Sequence, residues 1–163
     1  KLLANLQARG FLFHDLLLRV GLGTFKPIQT ERLEEHPMHP EAYSIPPGTL
    51  AALQEDVPGP RVAIGTTSVR TIEDALRKLP RRTTKTQAFE SESSLFLYPP
   101  EKFMGVDALI TNFHLPRSTL LCLVSAFLTP GSTDGIEWLK KIYTEALQKG
   151  YRFYSYGDAM LIL

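Results

Sequence analysis

Apolar and polar positions fall in blocks along this chain, and the blocks switch between helical and strand-like periods. Residues 1–9 carry apolar side chains at positions 2, 3 and 6, and Gly10 follows as a stop, which predicts a short helix. The pattern is already mid-helix at Lys1 with no N-cap before it, so the chain reads as a piece of a longer protein. Residues 11–20 form a long apolar stretch, broken by His14 and Asp15, that predicts a strand. A glycine-rich connection over 21–28 and a proline-rich stretch follow, then a short predicted helix over 49–55.

Residues 61–64 predict a strand leading through Gly65-Thr-Thr-Ser-Val-Arg70 into a helix that ends near Leu79. Val69, Ile72, Ala75, Leu76 and Leu79 recur there at helical spacing. The charged stretch over 80–94 predicts a mobile loop. Runs at 95–98 and 108–110 predict strands, and 120–128 predicts an apolar helix. A helix from Thr133 or Asp134 to Gln148 shows one apolar face, with Gly150 as its stop. Residues 151–155 predict an aromatic strand, which Tyr156-Gly157-Asp158 interrupts before an apolar run to Leu163. The alternation implies an α/β layered fold with a largely parallel or mixed sheet and flanking helices.

Composition changes this picture little. The chain has 163 residues, 44% of them hydrophobic and 21% charged, which suits one domain of ordinary size. A net charge of +1 gives no global argument for nucleic acid and leaves a local basic site open. Cys122, the single cysteine, sits within an apolar helix and is expected to be buried and inert. No signal peptide is visible, and the apolar run 120–128 is too short to span a membrane, so a cytoplasmic location is expected.

Candidate chemistry collects in the loops after the strands. Asn112, His114 and Arg117 put an amide, a titratable ring and a fixed cation into one short connection between an apolar strand and an apolar helix. Such groups are costly to bury unpaired, and ligands of open α/β sheets bind at the carboxyl ends of strands. Local uses compete with that reading: Asn112 in a turn, Ser118 or Thr119 as a helix cap, Arg117 in solvent. Thr66, Thr67 and Ser68 surround a helix N-terminus, where backbone donors hold phosphates or carboxylates, although one hydroxyl is expected as the cap. His36 and His39 have a metal-like spacing, but their neighbouring prolines oppose a helix, and no metal site is expected. Ser68 lacks the Gly-x-Ser-x-Gly context of a nucleophile.

Several motifs taken in order carry a resemblance. Gly21-Leu-Gly-Thr-Phe-Lys-Pro, Glu35-His-Pro-Met-His39, Gly65-Thr-Thr-Ser-Val-Arg-Thr71, Asp107-Ala-Leu-Ile-Thr-Asn-Phe-His-Leu-Pro-Arg-Ser-Thr-Leu120 and Tyr151-Arg-Phe-Tyr-Ser-Tyr-Gly-Asp-Ala-Met160 together resemble the S-adenosylmethionine:tRNA ribosyltransferase-isomerase family of queuosine biosynthesis. The resemblance implies that this chain is the C-terminal part of the main α/β domain. By the same resemblance this stretch is expected to lack the family's N-terminal part, including its inserted small β-barrel domain. Residues 83–94 and 128–134 look unlike the family's usual versions.

The implied reaction moves the ribosyl part of S-adenosylmethionine onto 7-aminomethyl-7-deazaguanine at the tRNA wobble position. It gives epoxyqueuosine-tRNA and releases adenine and methionine. S-adenosylmethionine is then a substrate, the anticodon stem-loop is the partner, and no metal is required. Within that frame His114 is expected to do acid or base work, with Asp158 as its partner or as the adenine contact. His39 is a second acid/base candidate. Arg70 and Arg117 suit the methionine carboxylate or an RNA phosphate. Thr66, Thr67, Ser68 and Asn112 would surround the same ligand, while Phe25 and Tyr156 suit stacking on a flipped base or on adenine. The alternative is an α/β fragment that holds RNA or a nucleotide without turning it over. A phosphate-ester hydrolase built on the Thr-rich turn would need a carboxylate-held metal.

Overall fold

The computed structural model describes residues 1–21, 26–55, 59–79 and 86–163. Its elements run α1 (Leu2–Ala8), β1 (Leu17–Leu18), a 3-10 turn at Leu33–Glu35, β2 (Glu41–Ile45), α2 (Pro47–Gln54), β3 (Val62–Ile64), α3 (Thr66–Lys78), β4 (Phe89–Ser93), β5 (Ala108–Thr111), α4 (Thr119–Leu128), α5 (Gly135–Gln148) and β6 (Met160–Ile162). Two small sheets result. In the first, β3 pairs parallel to β5 with Val62 opposite Ala108, and β5 pairs antiparallel to β6 with Leu109 opposite Ile162. In the second, β2 is flanked by β1 and β4, both antiparallel. The α/β class holds, and of the expected arrangements it is the mixed sheet that forms.

The central strand β5 is the most buried of its sheet, as a strand paired on both edges and covered by helices is expected to be. Leu109 packs with Val69 of α3, Val124 and Phe127 of α4, and Leu139 of α5. A second cluster joins Tyr43 and Ile45 of β2, Leu50 and Leu53 of α2, and Ala75 of α3. Ile72 packs on both clusters, so α3 is the wedge between the two sheets. Among the described residues no helix is long and apolar enough to cross a membrane.

Several expectations are corrected. Within 11–20 only Leu17–Leu18 pairs as a strand. Residues 80–85 lie outside the described residues, but Phe89–Ser93, inside the expected loop, forms β4 against the whole of β2. Residues 95–98 make no ladder. They are held by packing, with Leu97 fully buried and Phe96 between His36 and Tyr98. Residues 151–155 form no strand either: Phe153 stacks on Phe113 and meets Tyr143 edge-on, and Tyr154 turns into the left-handed region at φ 64°.

Caps also differ from expectation. No hydroxyl caps α3. Its N-cap is Gly65 at φ 91°, a conformation that glycine adopts without strain. Ser118 does cap α4, accepting from Leu121 N at 3.2 Å. Asp134 precedes α5 without a side-chain cap bond. Cys122 is only partly buried, and desolvation pushes its thiol up to about 11, which keeps it protonated.

Candidate active site at the carboxyl ends of β3 and β5

The parallel pair β3 and β5 ends at one place. Gly65 N donates to Ile110 O at 2.8 Å, closing the ladder just where α3 begins. An open crevice of about 290 Å³ lies over these strand ends, lined by Gly65, Thr66, Thr67, Thr111, Asn112 and Ala159 among others. The first amides of α3 have no acceptor within the helix, so its N-terminus offers donors and a positive dipole end. This is the position at which open α/β sheets bind ligands.

Thr66, Thr67 and Asn112 thus come together as expected. Ser68 does not join them, because its Oγ donates to Ile64 O at 2.8 Å. Asn112 Nδ2 donates to Tyr154 O at 2.8 Å, and Tyr154 N donates to Phe113 O at 2.8 Å, which ties residues 151–158 to the crevice rim. Arg117 is exposed at φ 56°, and its carbonyl accepts from Ile28 N at 2.8 Å. The glycine-rich connection and the Asn112 loop are therefore neighbours. Phe25 lies outside the described residues. Tyr156 is exposed at the surface.

His114 is placed differently from the expectation. The residue is 8% exposed, and Nε2 stands 2.9 Å from Thr111 Oγ1 while its backbone N–H donates to Tyr143 Oη at 2.8 Å. Desolvation lowers its pKa to about 4, so the ring is neutral at pH 7 rather than titrating there. Its bond to the crevice runs through Thr111. Asp158 does not pair with it. That carboxylate accepts from Arg152 N at 2.6 Å, Nε at 3.0 Å and Nη2 at 2.9 Å, which holds its pKa at about 2. His39 is a surface residue, with Nε2 3.5 Å from Lys26 Nζ.

Arg70 is the buried cation of the site. Its Nη2 pairs with Glu41 on β2, whose Oε1 also accepts from Gly21 N at 2.6 Å. Burial lowers the Arg70 pKa and Asp74 raises it. A guanidinium keeps its proton under such conditions. Glu41, Thr111 and Thr119 are the site residues that sequence reasoning missed. Thr111 and Thr119 stand inside the family-like motif 107–120 beside Asn112 and Ser118, and the alternation of Glu41, Tyr43 and Ile45 is the sequence signal for a buried strand face. Among the described residues no group of three or more His, Cys, Asp or Glu is placed to hold a metal ion.

Fold and crevice define a class: an α/β protein with an open crevice, part hydroxyl-lined and part apolar, at the carboxyl ends of the parallel strands of a mixed sheet. The family model described as queuosine biosynthesis protein matches residues 1–162, and the chain belongs to that family. It is 46% identical over 165 residues to the S-adenosylmethionine:tRNA ribosyltransferase-isomerase of Thermotoga maritima, covering 100% of this chain and 46% of that protein. The protein of the same name from Geobacter metallireducens is 48% identical over 164 residues, 99% of this chain and 45% of its own length. The crystal structure of S-adenosylmethionine tRNA ribosyltransferase from Thermotoga maritima superposes with a TM-score of 0.72 at 39% identity, covering 99% of this chain and 48% of that one. The chain spans about half the length of the curated relatives it matches.

Proposed function

We propose that this chain carries part of the active site of an S-adenosylmethionine:tRNA ribosyltransferase-isomerase. The ribosyl moiety of S-adenosylmethionine passes to the 7-aminomethyl-7-deazaguanine of a tRNA anticodon, giving epoxyqueuosine-tRNA and releasing adenine and methionine. The observation that carries this reading is the meeting of two family-like motifs, the Thr66-Thr67 turn and the Thr111-Asn112 strand end, across one crevice. Similarity along the whole of this chain to about half of each enzyme of that name supports it.

In this reading Thr66, Thr67 and the α3 amides hold the donor substrate, with Asn112 at the rim. Arg70 supplies fixed positive charge for a carboxylate or a phosphate. The neutral ring of His114 shares a proton with the Thr111 hydroxyl and acts on the crevice through it. Asp158 closes the 152–158 turn through Arg152, Asn112 and Phe113 hold that turn to the rim through Tyr154, and Tyr156, Arg117 and His39 stand outside as contacts for RNA. S-adenosylmethionine serves as a substrate, no metal takes part, and the work is that of a cytoplasmic tRNA-modifying enzyme.

The test incubates the full-length protein with S-adenosylmethionine and an anticodon stem-loop bearing the deazaguanine. Free adenine and methionine are expected in equal amounts, and only when RNA is present. No adenine from the full-length protein would overturn the reading. The half-length span favours one second reading, that this portion binds RNA or nucleotide without turnover by itself. Adenine from the full-length protein and none from residues 1–163 alone would support it.

A further inference from the structure

A narrow groove meets the crevice at Thr66 and Thr67, which line both, and it passes between the first turns of α3 and α4. Two of its polar side chains have unfilled bonding capacity. Arg70 and Thr119 are each 5% exposed. Arg70 Nε and Thr119 Oγ1 have no hydrogen-bond partner among the described residues. Capping does not occupy Thr119, because Ser118 caps α4 with its own hydroxyl. A buried donor without an acceptor costs stability, so two of them lining one groove point to a missing acceptor.

The groove defines what that acceptor is. A guanidinium, a hydroxyl and the first amides of two helices surround an anion. Met38, Phe96 and Leu123 supply an apolar wall beside them. Its inner space of about 10 Å³ admits one water-sized group. The space takes one oxygen, which a carboxylate at the tip of a slim aliphatic arm delivers while the arm lies in the groove; a phosphate oxygen brings with it a strand on two ester bonds, too bulky for so narrow a groove. The neighbouring crevice, at about 290 Å³, is the larger space for the bulky part of the same molecule.

Resting on the functional reading above, we infer that the groove is the subsite for the amino-acid arm of S-adenosylmethionine. Its carboxylate accepts from Arg70 Nε and Thr119 Oγ1, and its nucleoside part lies in the crevice. Thr119 is then a specificity-determining residue that selects donors carrying a carboxylate.

The test compares S-adenosylmethionine with its decarboxylated form, which keeps the sulfonium and nucleoside, in adenine release by the full-length protein. Wild type is expected to prefer the carboxylated donor by at least about 30-fold in kcat/KM. Thr119→Val is expected to raise KM for that donor about tenfold and leave the decarboxylated donor within about twofold, as the loss of one hydrogen bond to a charged group implies. Thr119→Ser restores the preference. Arg70→Lys keeps the charge opposite Glu41 but removes the Nε donor, and it shrinks the preference even where Thr119→Val fails to fold. Merely structural damage would slow both donors alike. Isothermal titration of each protein with each donor gives the same comparison without turnover. An intact preference in Thr119→Val and Arg70→Lys, or a wild type indifferent to the carboxylate, overturns the assignment and leaves the functional reading standing. A wild type that neither binds nor consumes either donor overturns both.

Discussion

The Arg70 guanidinium and the Glu41 carboxylate form an ion pair nearly sealed from water, their side chains 6% and 3% exposed. The pair has a partner one repeat further along. Glu41 and Tyr43 share a face of β2, two residues apart, while Arg70 and Asp74 share a face of α3, four apart. Tyr43 Oη donates to Asp74 Oδ2 at 2.8 Å, and burial with that bond raises the Tyr43 pKa. Strand and helix are stitched by two polar contacts, and the upper one borders the groove and the glycine-rich connection.

Breaking this pair from the carboxylate side leaves a buried cation uncompensated. Glu41→Gln is expected to destabilise the fold by about 3–5 kcal/mol, the usual cost of removing one partner of a buried pair. Replacing both residues by apolar ones of similar volume, as in Glu41→Leu with Arg70→Met, is expected to recover most of that loss without restoring donor binding. Urea unfolding at pH 7, read beside titration with S-adenosylmethionine, separates the two effects. A Glu41→Gln protein as stable as wild type would show that the pair contributes nothing.

His114 gives the fold a pH dependence of definite sign. Its ordinary value of 6.5 falls to about 4 in the folded state because burial penalises the charged ring. Between those values the unfolded chain binds a proton that the fold refuses. Stability from this group is complete above pH 6.5, declines as pH falls towards 4, and changes no further below. The span corresponds to on the order of 3 kcal/mol. His114→Gln, which keeps a polar partner for Thr111, is expected to flatten the urea midpoint across that window. An unchanged slope would mean that the ring is not buried in its neutral form.

The elements legible in the sequence are those whose apolar pattern is strong and one-sided. β3, α3, β5, α4 and α5 fall where periodicity placed them. The turns after β3 and β5 meet at a crevice as strand-end reasoning required. The second sheet was hidden by its composition. β4 reads Phe-Glu-Ser-Glu-Ser, and its charges suggested a loop. Its exposure nonetheless alternates, with Glu90 and Glu92 outward and Ser93 buried, which is the period of a strand. The aromatic run 151–155 misled in the opposite sense: its rings are spent on Phe113 and Tyr143, not on a ladder. For His114 the residue type predicts a titration near neutral pH, and burial abolishes it, a property of packing that no single sequence displays.

Gly135, the first residue of α5, lies directly against the backbone of α4. A Cβ built there meets the carbonyl oxygen of Ser125, with Ser125 C at 2.8 Å and Thr129 Oγ1 at 2.8 Å. At Gly105 the obstructing atoms are side-chain methyl groups of Leu76 and Ile72. Backbone cannot rotate away as a leucine methyl can. Gly135→Ala is expected to cost at least the upper end of the ~1–3 kcal/mol typical of overpacking, and Gly105→Ala the lower end. Thermal melts of the two variants rank them, and a milder Gly135→Ala would mean that α5 shifts away from α4 without penalty.

Asp158 works by shape and not by titration. Its carboxylate takes three hydrogen bonds from Arg152, from the backbone N–H, Nε and Nη2. They close a turn that contains Tyr154 at φ 64° and Gly157 at φ 101°. Those bonds keep its pKa at about 2, so it is an anion throughout the range from pH 5 to 9. Asp158→Asn preserves the outline of the side chain but weakens its hold on Arg152. Amide hydrogen exchange is expected to rise across residues 151–158, which Asn112 anchors to the crevice through Tyr154 O. In the proposed reaction kcat/KM falls because the rim is loosened. The shape of the pH profile between pH 5 and 9 stays that of wild type, since no titrating group has been removed. Loss of an acidic limb in Asp158→Asn would identify the carboxyl as the acid or base that its bonds to Arg152 argue against.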